Sequence, residues 1–145
     1  MKMLEVRLAT TKTDRENCYR LRHEVFVGEQ GVPIELEIDE HDESDAIHFI
    51  GFISGEAVAA SRIVPVEQVA KIGRLVVVRN SRGQGFGDKM MKSMIDHARL
   101  LPGVERVALD AQTYALPFYE RLGFKPEGEV FPDAGIEHQH MVLEL

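Results

Sequence analysis

The residues of this chain best suited to chemistry form one short run, Arg82-Gly83-Gln84-Gly85-Phe86-Gly87-Asp88. The apolar stretch Leu75-Val76-Val77-Val78 precedes it and reads as a buried strand, and the amphipathic stretch from Phe86 to Leu101 reads as a helix. A strand that turns through alternating glycines into a helix N-terminus is a site for phosphate. Glycine lets the backbone approach the ligand, while the unpaired N–H groups of the first helical turn and the helix dipole favour an anion there. The spacing excludes two familiar phosphate turns. A P-loop needs G-x-x-x-x-G-K-[ST], but Asp88 occupies the second glycine's place and Met90 follows Lys89. A dinucleotide turn needs G-x-G-x-x-G, and Asp88 stands where the last glycine belongs. What remains is R-x-x-G-x-G, built from Arg82, Gly85 and Gly87.

A second motif lies further along. Leu109-Asp110-Ala111-Gln112 ends another strand candidate, and Phe118-Tyr119-Glu120-Arg121-Leu122-Gly123-Phe124 follows with the pattern F-Y-x-x-x-G-F. In this order the two motifs resemble the pyrophosphate turn and the short cofactor-binding helix of the GNAT superfamily of acyl-CoA-dependent N-acyltransferases. Two further runs, Val25-Phe26-Val27-Gly28-Glu29-Gln30-Gly31-Val32-Pro33 and Asp133-Ala134-Gly135-Ile136-Glu137-His138, resemble its ElaA/YjcF-like subgroup. The resemblance therefore spans nearly the whole chain.

That resemblance implies an N-acetyltransferase that moves an acetyl group from acetyl-CoA to a primary amine of a small molecule or peptide by direct attack. Arg82, Gly83, Gln84, Gly85, Phe86, Gly87 and Asp88 would hold the pyrophosphate, chiefly through backbone N–H groups. Leu75, Val76 and Val77 would offer backbone groups to the pantetheine arm and the thioester oxygen, as an added strand would. Phe118, Tyr119 and Arg121 would line the cofactor site, with Gln112 standing where many members carry Asn. Arg79, Lys89 and Arg121 are candidates for the remaining phosphate, though each also reads as a plain surface charge. Tyr119 is the implied general acid, since a phenol within hydrogen-bond reach can protonate the departing thiolate; the alternative is an aromatic packed beside Phe118.

The base stays open. An alkyl amine has a pKa near ~10, so about one part in a thousand is free base at pH 7. Some family members use a Glu near the start of the fourth strand, where this chain has Ile72-Gly73-Arg74. Glu29, Glu37, His48 and His138 are the candidates, and each also reads as a structural polar group. The missing carboxylate keeps a second reading alive: a non-catalytic CoA- or acyl-CoA-binding sensor or interaction protein. His138 and His140 fall on one side of a strand, but with Glu137 they lack a further ligand at motif spacing, so no metal is expected. Cys18 lies on the apolar side of a helix, where a buried thiol is the ordinary outcome.

Bulk properties fit this reading. The 145 residues suit a single domain spanning 1–145, and 44% hydrophobic with 28% charged residues suits a soluble globular protein. There is no signal-peptide pattern and no apolar run of the ~20 residues a bilayer requires. One cysteine points to a reducing, cytoplasmic setting, and a net charge of −7 counts against nucleic acid. The resemblance also allows a homodimer. The charge is uneven: seven acids and no Lys or Arg lie between Glu35 and Asp45, and outside that stretch 17 acidic residues balance 17 basic ones. This stretch is either an acidic rim that draws in a cationic amine or a solvated loop.

The elements that must position these groups are legible as periodicities. Leu4, Val6 and Leu8 alternate as a strand. Thr13-x-x-Glu16 reads as a capping box opening a helix whose buried face carries Cys18, Leu21 and Val25. Gly28 to Asp45 reads as loop, with room for a short helical turn. A strand from Ile47 to Ile53 turns at Ser54-Gly55-Glu56 into a strand from Ala57 to Val64 that Pro65 ends. A fourth strand follows over about Lys71 to Val78, then the helix with Phe86, Met90, Met94, Ala98 and Leu101 on one side. A strand from Arg106 to Ala111 and a short helix from Leu116 to Leu122, closed by Gly123, come next. Phe124 to Val130 and Gln139 to Leu143 give two last strands around the turn Pro132-Asp133-Ala134-Gly135. This order predicts an α/β (α+β) fold: a mixed, mostly antiparallel twisted sheet of about seven strands with helices on both faces. It matches the GNAT fold, whose fourth and fifth strands splay apart to admit the pantetheine arm.

Overall fold

The computed structural model describes residues 3–145. Strands β1 (Glu5–Leu8), β2 (Ile47–Ile53), β3 (Glu56–Val66), β4 (Val69–Val77), β5 (Arg106–Gln112), β6 (Lys125–Asp133) and β7 (Ile136–Glu144) form one sheet in the order β1-β2-β3-β4-β5-β7-β6. Every pairing is antiparallel except β4 with β5, the pair joined by a helical crossover. The helices are α1 (Lys12–Arg22), α2 (Ile34–Glu37), α3 (Phe86–Leu100) and α4 (Leu116–Arg121). The expected sheet is thus present, and the β3-to-β4 and β6-to-β7 hairpins are longer than their apolar alternation suggested.

The core divides along the two faces of the sheet. On one, Phe86, Met90, Met94 and Ala98 of α3 pack against Phe49, Ile63, Ile72, Val107, Leu109 and Met141. On the other, Cys18 and Leu21 of α1, with Val25, pack against Ile50, Phe52, Ala60 and Val76. Burying each large apolar side chain contributes about 1.5–3 kcal/mol, so these faces fix the two helices, and with them both ends of the site.

Three expectations need correction. The cap of α1 is Thr11, whose side chain accepts from the Asp14 N–H at 3.1 Å, so the helix starts before the Thr13-x-x-Glu16 box. Asp14 is itself held in place by Arg7, at 3.0 Å to both carboxylate oxygens. Pro65 does not end β3: the strand continues to Val66, and the hairpin closes where Glu67 takes a φ of 54°. Gly28 to Asp45 holds α2 as its short helical turn but is more ordered than a loop with one such turn. Helix α1 runs on as a π-helical stretch, His23–Glu29, and a 3₁₀ turn, Glu40–Glu43, follows α2.

The acidic stretch is neither a solvated loop nor a free rim. Arg22, 1% exposed, donates to Glu37 Oε1 at 2.6 Å and to both oxygens of Asp42 at 2.7 and 3.0 Å. Arg62 donates to both oxygens of Asp39 at 2.7 and 2.6 Å and to Asp42 at 2.8 Å. Three of the seven acids are thus internal counterions that dock the segment onto α1 and β3. Sequence reasoning missed this because Arg22 and Arg62 lie in other elements, and only folding brings them to the acids.

Candidate active site

The phosphate turn is built by the exit of β4. Gly85 is the N-cap of α3 with a φ of 81°, and its carbonyl accepts the Lys89 N–H at 3.1 Å. No side chain caps this helix, so no side-chain oxygen competes for the N–H groups of its first turn. A Cβ at Gly85 would meet no protein atom within 4 Å. The demand for glycine is therefore conformational: the left-handed backbone strains any L-residue, most of all a β-branched one. A concavity of about 390 Å³ lies over the turn, bounded by Gly83, Gly85, Gly87, Phe118 and Arg121. Open space, uncapped N–H groups and a helix dipole together fit a pyrophosphate.

The arginines divide their work. Arg82 borders the cradle with its guanidinium already engaged: its Nε donates to the Val77 carbonyl at 2.8 Å and its Nη2 to Glu29 at 2.9 Å. Arg79 lies 3.6 Å from the same carboxylate. Glu29, at the end of the π-helical stretch, thereby ties that stretch to the turn. Arg121 makes no ion pair among the described residues and edges the concavity, whereas Asp88 is engaged by Lys92 at 2.8 Å.

Next to the cradle the sheet opens. Pairing of β4 with β5 stops at Lys71 and Ala108. On its other side β4 carries a bulge, because Ala60 faces Val76 while Arg62 faces Gly73. The extra residue lies at Arg74, whose φ is 57°, and Ser61 steadies the bulge by donating to the Gly73 carbonyl at 3.0 Å. Glycine inside a strand often marks such a bulge, so Gly73-Arg74 was the readable signal. A second cavity of about 520 Å³ occupies the opening, with Leu75, Leu109, Gln112, Tyr119, His138 and Arg74 in its walls.

Tyr119 packs edge-on against Phe118 and Phe124, with ring centroids 4.9 and 6.0 Å apart. Burial pushes its phenol up to about 12, with the Tyr114 phenol adding to the shift. The group therefore stays protonated at neutral pH and can serve as a donor. The Gln112 side chain is engaged with Gln30, donating to its Oε1 at 2.9 Å across 82 residues of sequence. Gln30 was not singled out from the sequence, and nothing local there signals a partner on β5.

The four candidate bases fall in different places. His138 lines the cavity, stacks on Phe131, and has Nδ1 2.7 Å from the Ile136 carbonyl. A carbonyl accepts only from an N–H, so in the neutral ring Nε2 carries the lone pair. Glu37 also borders the cavity, but its carboxylate is committed to Arg22. Glu29 sits at the phosphate turn, where the Arg82 hydrogen bond holds its carboxyl below the usual range. His48 is buried under the 3₁₀ turn, with Nε2 3.0 Å from the Asp42 carbonyl, away from the cavity. His140 is turned to Asp110 at 2.8 Å, and the described residues contain no His, Cys, Asp and Glu grouping that could hold a metal ion. Cys18 is buried, and its surroundings push the thiol up to about 12, which leaves it no thiolate for acyl chemistry.

The model of the acetyltransferase (GNAT) domain matches residues 9–145. The chain belongs to the GNAT acetyltransferase family. This GNAT chain is 35% identical over 138 residues to the uncharacterized N-acetyltransferase YjcF of Bacillus subtilis, covering 94% of the present chain and 97% of YjcF. It is 33% identical over 130 residues to the protein ElaA of Escherichia coli, covering 87% and 84% of the two chains. Among solved structures, an acyl-CoA N-acyltransferase from Pseudomonas aeruginosa superposes with a TM-score of 0.85 at 30% identity, covering 98% of this chain and 99% of the other. GNAT enzymes are acyl-CoA-dependent acyltransferases with acetyl-CoA as co-substrate. No helix among the described residues is long and apolar enough to cross a membrane.

Proposed function

We propose that this GNAT enzyme acetylates a primary amine of a small molecule or peptide by direct attack, with Tyr119 as general acid and His138 as general base. The observation that carries this reading is that a protonated phenol and an imidazole with its Nε2 lone pair free line one cavity, at the point where β4 and β5 part. Acetyl-CoA supplies the activated acetyl group and a thiolate that leaves.

The chain's own residues do the rest. The uncapped first turn of α3 and the Gly85 turn hold the pyrophosphate. The edge of β4 at Leu75, Val76 and Val77, which β5 no longer covers, offers backbone groups to the pantetheine amides and the thioester oxygen. His138 Nε2 takes a proton from the bound ammonium and so frees the lone pair that bonds to the acetyl carbon; the Tyr119 hydroxyl gives a proton to the sulfur as the carbon–sulfur bond breaks, and the second proton lost by the nitrogen restores the phenol. The Ile136 carbonyl and the Phe131 ring hold the imidazole in the required tautomer and orientation.

Gly73 and Arg74 stand where a carboxylate would serve as base, and this favours a second reading, CoA binding without turnover. A thiol-release assay of His138→Gln across pH separates the two. General-base catalysis contributes typically 10²–10⁴-fold, so kcat of the variant should fall about a hundredfold at pH 7. The deficit should shrink as pH rises toward the amine's own pKa of ~10, because the amine then arrives already deprotonated. A deficit that stays constant with pH, or no deficit, would remove His138 from the mechanism. No thiol release from any amine by the wild type would support the second reading.

A further inference from the structure

We propose that the acceptor is an α-amino acid with an apolar side chain, its carboxylate held by Arg74; this rests on the amine-acceptor reading and names the substrate class of that site. Three arginines, Arg22, Arg62 and Arg74, surround Glu37, Asp39 and Asp42, and the shares are unequal. Arg22 and Arg62 make charged contacts of 2.6 to 3.0 Å with these acids. Arg74 is left with the outer contacts, 3.4 Å to Asp39 and 3.7 Å to Glu37, and otherwise donates to neutral carbonyls of Glu37 and Leu36 at 3.0 and 3.3 Å. Its Nη1 makes no hydrogen bond among the described residues, and its side chain is 27% exposed in the acceptor cavity.

Burial, together with repulsion from Arg62 and Arg22, holds the Arg74 guanidinium below its usual value. A cation in that position gains from a further anion. The bulge supplies the geometry: the positive φ of Arg74 sets its side chain in the cavity at the point where β4 leaves β5, the place assigned to the thioester. Lys71 also lines the cavity, but its ammonium lies 3.3 Å from Asp110, which offsets its charge and leaves Arg74 as the group with an open N–H edge. A guanidinium with an open N–H edge is suited to a carboxylate. At the mouth, Leu36, Val66 and Tyr114 expose apolar surface toward the same space, which suits an apolar side chain rather than a second polar group.

The test compares matched acceptors. Phenylalanine, phenylalaninamide and phenethylamine present a similar apolar amine with and without the carboxylate, and leucine with its amide and isopentylamine repeats the comparison. Hydrogen bonds to charged groups contribute about 1.5–3 kcal/mol, so wild-type kcat/KM for the free amino acids should exceed that for both partners by about tenfold or more. Arg74→Met should bring that ratio to about one, chiefly through KM for the amino acids, and Arg74→Lys should retain part of the preference. Calorimetric binding of acetyl-CoA certifies that each variant is folded. Equal wild-type kcat/KM across each set would overturn the carboxylate assignment while leaving amine acetylation standing. Turnover of none of the six at millimolar concentration, with acetyl-CoA still bound, would overturn this inference, and the amine-acceptor reading would fall with it only if no other amine released thiol.

Discussion

Tyr119→Phe is expected to lower kcat about a hundredfold, the lower end of what a positioned general acid contributes, while acetyl-CoA affinity stays within about twofold. The substitution removes one oxygen. That oxygen has no hydrogen-bond partner among the described residues, and the ring keeps its edge contacts with Phe118 and Phe124. Folding stability should therefore change little, which separates this variant from one that merely loosens α4. Its raised pKa, about 12, keeps the wild-type phenol protonated over the working range, so no limb of the pH–rate profile below about pH 10 should belong to it. Pre-steady-state mixing with thiol detection would locate the loss in the step that releases CoA. Unchanged kcat would show that the sulfur leaves unassisted or takes its proton from water.

Arg22→Ala should be the most destabilising single change, by about 3–5 kcal/mol, because removing one partner of a buried ion pair strands the other charge. Here Glu37, 3% exposed, would keep only Arg74 at 3.7 Å as a charged partner, and Asp42, 2% exposed, would keep only Arg62 at 2.8 Å. Urea unfolding followed by circular dichroism measures the shift, and a loss under about 1 kcal/mol, the range of surface pairs, would contradict the account. The same network sets an acid limit. Burial alone would raise the Asp42 carboxyl, but hydrogen bonds and charge from Arg22 more than offset it and hold the group well below its usual value. The Arg62 hydrogen bond does the same for Asp39. Groups with lowered folded values contribute stability that is complete above the unfolded aspartate pKa of about 3.9 and is lost as pH falls through the folded values. Wild-type stability should therefore drop below about pH 4, and Arg22→Ala should flatten that drop.

How much of this was legible in the sequence follows from the range of the interactions involved. The turn at Gly85 and the helix after it were readable because a phosphate turn is local: adjacent residues supply the glycine, the N–H groups and the apolar face of α3. The seven strands were readable from alternation for the same reason. The Arg–acid ion pairs were not, because Arg22, Glu37, Asp42 and Arg62 belong to four different elements and their charge run looks identical to a solvated one until α1 and β3 pack beside it. The Thr11 cap was missed because Thr13-x-x-Glu16 offered a competing box of the same type two residues later. Among the candidate bases, residue type alone could not rank His138 above His48; what separates them is that β7 faces the opened sheet while the start of β2 lies beneath the 3₁₀ turn. Arg74 went unread as a binding group because its significance depends on the bulge that turns it into the cavity.

The central claim is that acetyl-CoA is held at the glycine turn beside the parting of β4 and β5, and titration calorimetry of three proteins tests it most directly. Replacing Gly85 with valine puts a β-branched residue at a φ of 81°. That backbone costs an L-residue about 1–2 kcal/mol, and the turn could relieve the strain only by moving its N–H groups off the ligand. The account predicts saturable one-to-one binding of acetyl-CoA by the wild type, affinity within about twofold for Gln84→Ala, and at least about a tenfold loss for Gly85→Val in folded protein. No detectable binding by the wild type at millimolar acetyl-CoA, or equal affinity in all three, would contradict it.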